Sequence, residues 1–186
     1  YTLPKVIENY QKRFSVSYAN EELPAARPNR TTPMYNIFSN MGAVWGQQFG
    51  LEVVNYFAQA GEPGYESPSF RRSDAFGAIA REVSGVRNAV GINEVHNFGK
   101  YLVTGPRARA WLDRIMAGRV PQMGRVALSP MLSPKGRLIG DFTISCIGEE
   151  EFQLTASYGS QAFHFRWFHQ HKEDGVTIEN ISDKRN

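Results

Sequence analysis

The chain has 186 residues, 21 Lys plus Arg against 18 Asp plus Glu, and 41% hydrophobic residues. That supply of apolar side chains permits a packed core and excludes wholesale disorder. The net charge is only +3, and no basic run exceeds two residues (Lys12-Arg13, Arg71-Arg72, Lys184-Arg185), which argues against a nucleic-acid-binding tail.

Residues 1–69 are punctuated by Pro4, Pro24, Pro28, Pro33, Pro63 and Pro68, with Gly42, Gly46, Gly50, Gly61 and Gly64 between them. No helical or strand periodicity stands out. The stretch nevertheless holds Tyr10, Phe14, Tyr18, Trp45, Phe49 and Tyr65 among its aromatics, and disordered linkers are poor in such rings. The expectation is an irregular, aromatic-rich segment that wraps a surface and is poorly self-supporting.

From Ser73 the pattern changes. Ser73 is placed to cap a helix with Phe76, Ile79, Ala80, Val83, Val86 and Val90 as its apolar positions and Gly91 as its stop. Residues 100–104 read as a strand. Gly105-Pro106 opens a second helix with Trp111, Leu112, Ile115 and Met116 on one face. Strand patterns over 125–132 and 137–147 are joined by Ser133-Pro134-Lys135-Gly136, a hairpin turn, and 152–157 is a further strand. A helix over 158–172 and a strand over 176–181 close the order β-α-β-β-β-α-β. The class is α+β: a ferredoxin-like antiparallel sheet with helices, behind an irregular N-terminal segment.

Few residues invite chemistry. The chain has no GxGxxG, no GxxxxGK[ST] and no GxSxG. His164, His169 and His171 cluster without metal-ligand spacing and read as a helix surface with partly buried rings, so no metal is expected. Cys146, the single cysteine, reads as a small buried hydrophobe and excludes an intramolecular disulfide. No apolar run reaches the ~18–20 residues of a membrane helix, so no membrane partner is expected. Asp141 is different, because it interrupts an otherwise apolar strand beside Gly140. Alternation puts it with Ile139 and Thr143 on a face of mixed polarity, and both a solvated and a functional carboxylate remain open.

Several stretches together carry a resemblance. They include ENYQKRFSVSYANEELPAARPNRTTPMYNIF, MGAVWGQQFGLEVVNYFA and MLSPKGRLIGDFTIS. In this order they resemble the FAD-dependent dimethylglycine and sarcosine dehydrogenases, whose C-terminal half is similar to the aminomethyltransferase (T-protein) of the glycine cleavage system. The resemblance implies that 1–69 is the segment connecting to an upstream FAD domain, and that 70–186 begins a tetrahydrofolate-binding domain. It implies an enzyme in which flavin oxidises an N-methyl amine and folate captures the one-carbon unit.

In that family the acidic residue of GG-x-x-x-D lies beside the folate nitrogens. The pattern stands here as Gly136-Arg137-Leu138-Ile139-Gly140-Asp141, so the catalytic role falls on Asp141. A carboxylate there suits nitrogens that shed a proton as they attack a cationic carbon. Phe98, Leu128, Thr143, Ser157 and Tyr158 fall where the family lines its folate pocket, with Phe98 at a Met position and Ser157 at an Asn position. The family takes a further Glu and Arg from beyond Asn186 and its FAD fingerprint from before Tyr1. The expectation is therefore a piece of a longer protein, cut at both ends and inactive alone. Its partners would be a methylamine substrate, folate and the rest of its polypeptide, with an oligomer allowed. The compartment would be bacterial cytoplasm or mitochondrial matrix. The competing reading is a stand-alone aminomethyltransferase-like binding or scaffold protein without activity.

Overall fold

The computed structural model describes residues 1–182 and 184. Its backbone divides into two compact units, Tyr1–Asn93 and Glu94–Asn186.

The first unit corrects the expectation of an irregular segment. It opens with helix α1 (Thr2–Gln11), continues through α2 (Tyr35–Asn40), and forms an antiparallel hairpin of β1 (Ala43–Gln48) and β2 (Leu51–Phe57). Pro4 does not break α1 because it stands in the first turn, where its missing N–H has no helical partner. The hairpin closes through Phe49 and Gly50, both at positive φ (51° and 87°). Such a turn usually announces itself as Asn-Gly, and a Phe in that place hides it. Helix α3 (Phe76–Asn88) follows, reached through Ser73, whose hydroxyl accepts the Ala75 N–H at 3.1 Å.

What holds this unit is largely polar. Glu52 is buried, and its carboxylate takes the Arg27 guanidinium at 3.0 and 2.5 Å, while the same guanidinium donates to the Trp45 carbonyl at 3.0 Å. The buried apolar cluster is small: Val44, Tyr56, Ala75 and Ala78. Of α3 only Ala78 is buried, so the apolar stripe read from the sequence stands exposed.

The second unit follows the expected element order: β3 (Phe98–Thr104), α4 (Ala108–Ile115), β4 (Val126–Leu132), β5 (Leu138–Gly148), β6 (Glu151–Ser157), α5 (Gln161–His171) and β7 (Thr177–Asn180). The strands make one sheet in the order β4-β5-β6-β3-β7, and every neighbouring pair is antiparallel. The unit β6-α5-β7 is split, with β3 lying between the two strands it connects. Alternation along each strand sends Tyr101, Val103, Met131, Phe142, Ile144, Phe152 and Leu154 to one face. There they pack with Trp111 and Leu112 of α4 and Phe168 of α5 into one core. Full burial of each Phe contributes about 2–3 kcal/mol. Cys146 is buried in this core, as expected. Among the described residues no helix is long and apolar enough to cross a membrane.

Candidate functional site

Opposite the helices, the sheet presents its second face. Cross-strand register fixes what stands there. Leu128 of β4 is the partner of Thr143 in β5, Thr143 is the partner of Thr155 in β6, and Thr155 is the partner of Lys100 in β3. Two residues along, toward the same end of the sheet, come Pro130 paired with Asp141, and Ser157 paired with Phe98. Five of the six sequence-predicted positions therefore share one face: Phe98, Leu128, Asp141, Thr143 and Ser157.

That face is open. Leu128 is 80% exposed and Phe98 42% exposed, unusual for large apolar side chains in a sheet. Asp141 and Ser157 are exposed and Thr143 is half-buried. The Asp141 carboxylate makes no hydrogen bond or ion pair among the described residues. A bare carboxylate between exposed apolar side chains suits a flat heteroaromatic ligand that carries N–H donors.

The sixth position lies elsewhere. Tyr158 follows Ser157 in a one-turn 3₁₀ helix (Tyr158–Ser160) and is buried. The chain turns there from strand to helix. Lys100, which sequence reading passed over, stands on this face with its ammonium donating to the His96 carbonyl at 3.2 Å. No pattern announced it, because a Lys in a strand reads as solvated surface.

The hairpin leading to Asp141 is built as its residues suggest. Gly136 has φ of 72° and its N–H donates to the Ser133 carbonyl at 2.8 Å. Gly140 has a different reason to be glycine. A Cβ there would lie 2.4 Å from Nε2 of His164. His164 comes from α5, is buried, and is held by desolvation below the ordinary histidine pKa, so it is neutral. His171 is half-buried and His169 exposed, which leaves the three histidines in three environments. Among the described residues no group of three or more His, Cys, Asp or Glu is arranged to hold a metal.

The model of the GCVT N-terminal domain family matches residues 34–186. The chain belongs to this family. The GCVT match takes in the whole five-stranded sheet and starts within the stretch read as a connector. Over 99% of its length the chain is 32% identical to the mitochondrial dimethylglycine dehydrogenase of Rattus norvegicus, and 31% identical to that of Homo sapiens. It spans only 22% of the length of either. It is also 28% identical, over 59% of its length, to the aminomethyltransferase of Natranaerobius thermophilus. Among solved structures, aminomethyltransferase T of the Bartonella henselae glycine cleavage system superposes with a TM-score of 0.60, at 14% identity, over 83% of this chain and 38% of that one. This last likeness establishes the α+β T-protein fold, which the resemblance implied.

Proposed function

We propose that this chain supplies part of a tetrahydrofolate site within a longer FAD-dependent N-methyl amine dehydrogenase of the dimethylglycine or sarcosine type. The observation that carries the reading is the sharing of one open face by Asp141, Leu128, Phe98, Thr143 and Ser157. Support also comes from the relatives named dimethylglycine dehydrogenase and aminomethyltransferase. Residues before 34, ahead of the family match, are the part best read as a connector. No dinucleotide loop lies in this sequence, so the flavin step of such an enzyme falls to other parts of the longer polypeptide.

Tetrahydrofolate, when bound, supplies nucleophilic nitrogens for a one-carbon unit. Leu128 and Phe98 offer apolar surface to a pterin-like ring and keep water from it. Thr143 and Ser157 offer hydroxyls at its edge. Asp141 takes up a proton from a ring nitrogen, or stabilises the cationic carbon that nitrogen attacks.

Changing Asp141→Asn in the complete polypeptide should spare methylamine oxidation. Capture of the one-carbon unit should fall on the order of 10²-fold, with formaldehyde released instead. The ratio of free formaldehyde to methylenetetrahydrofolate measures it. An unchanged ratio at full folding moves the chemistry away from Asp141.

A further inference from the structure

Strand β5 carries an irregularity just before Asp141. Its Gly140 pairs with Met131 and its Leu138 pairs with Leu132, so Ile139 is an extra residue with no cross-strand partner in β4. Such a bulge interrupts the ladder and shifts the phase of the strand on one side of it relative to the other. A shift of one residue exchanges the two faces of a strand. The bulge at Ile139 is therefore the point where the phase of β5 changes, two residues before Asp141 and next to Gly140.

A side chain from another element meets the Ile139 carbonyl. Nε2 of His164 stands 3.2 Å from the Ile139 oxygen. A carbonyl only accepts, so the proton is assigned to Nε2. The ring is wedged between strand and helix, 4.8 Å from the Phe142 ring, and occupies the space a Cβ on Gly140 would need. Its Nδ1 is buried without a hydrogen-bond partner among the described residues. An apolar residue of similar size would fill the same place without desolvating a second nitrogen. What the imidazole adds is the one hydrogen bond to the bulge.

We propose that His164 is a positioning residue for Asp141: by donating to the bulged Ile139 carbonyl it fixes the phase of β5 that turns the carboxylate to the open face. The inference rests on the folate-facing reading of Asp141. Gly140 is its counterpart, since only glycine leaves room for the ring.

The test uses the complete polypeptide, with His164→Leu, which removes the donor, His164→Gln, which keeps an N–H near the Nε2 place, and Asp141→Asn as reference. His164→Leu should lower the share of the one-carbon unit captured on tetrahydrofolate on the order of ten-fold, with methylamine oxidation kept. His164→Gln should restore most of it. Equal losses in Leu and Gln, or no loss in either while Asp141→Asn loses capture, overturn the proposal and leave the folate reading standing. If Asp141→Asn itself changes nothing, the folate chemistry moves away from Asp141, and amide hydrogen exchange at Gly140 and Asp141 decides the positioning claim alone. Faster exchange in Leu with wild-type exchange in Gln upholds it, and equal exchange in both overturns it. Should the Leu variant fail to fold, His164→Met, also lacking the donor, takes its place.

Discussion

The two units of this chain spend their aromatic side chains in opposite ways. In the second, Trp111, Tyr101, Phe142, Phe152 and Phe168 are all fully buried in one core. In the first, Phe14 is 94% exposed, and Tyr10, Phe49, Tyr65 and Phe70 are also exposed. The difference is periodicity rather than aromatic content. Alternating strands deliver every second ring to the same side of a sheet, where helices cover it. A ring at a hairpin tip or beyond a short helix has no such neighbour, and polar ties such as Arg27–Glu52 must hold the chain instead.

The sharpest way to break this comparison is to remove a ring from each unit. Trp111→Ala should cost about 4 kcal/mol, since the indole is fully buried and its Nε1 donates to the His171 carbonyl at 2.7 Å. Phe14→Ala should change stability by less than about 0.5 kcal/mol. Urea denaturation followed by tryptophan fluorescence for the latter, and by circular dichroism for both, checks the contrast. Similar costs at the two positions would mean that the first unit hides a core of its own.

A somewhat smaller loss is expected at the polar tie. Arg27→Met leaves the Glu52 carboxylate buried without its guanidinium, at roughly 3 kcal/mol, and amide exchange should rise across β1 and β2 but not across β5 and β6. Replacing Glu52 by Met as well should recover much of that loss. A double variant no better than the single would show that packing, not charge burial, sets the cost.

Acid should separate the units more gently. All four histidines lie in the second unit. Burial holds His164 below its ordinary pKa of 6.5, so the unfolded chain binds the proton more readily than the folded one. Its contribution is complete above pH 6.5 and is lost as pH falls below it. In the first unit, Glu62 is drawn below 4.5 by its hydrogen bond to Arg81, so that contribution persists until pH falls below 4.5. Protection of β5 amides should therefore decline at a higher pH than protection of α3 amides, and His164→Gln should remove the difference.

Much of the second unit was legible because its signals are local. Gly136 after Ser133-Pro134-Lys135 marks a turn, and apolar residues at helical spacing mark α4. The first unit was less legible for equally local reasons. Pro4 looks like a breaker until the helix start is known, and Phe49 gives no hint of a left-handed turn. The stripe on α3 shows the converse, a clear period whose burial the period alone could not guarantee.

At the site the division is sharper still. Residue type marked Asp141 as a candidate, and the resemblance, laid on the Gly136-to-Asp141 spacing, named the candidate positions around it, because such patterns are properties of short stretches. The sheet order β4-β5-β6-β3-β7, the face that Asp141 occupies, the burial of Tyr158 and the meeting of His164 with Ile139 were settled only by tertiary structure. Each depends on partners distant in sequence, such as the Pro130 that Asp141 pairs with or the α5 histidine that meets β5. Local preference specifies which elements form, whereas long-range packing decides which neighbours they meet and which way their side chains look.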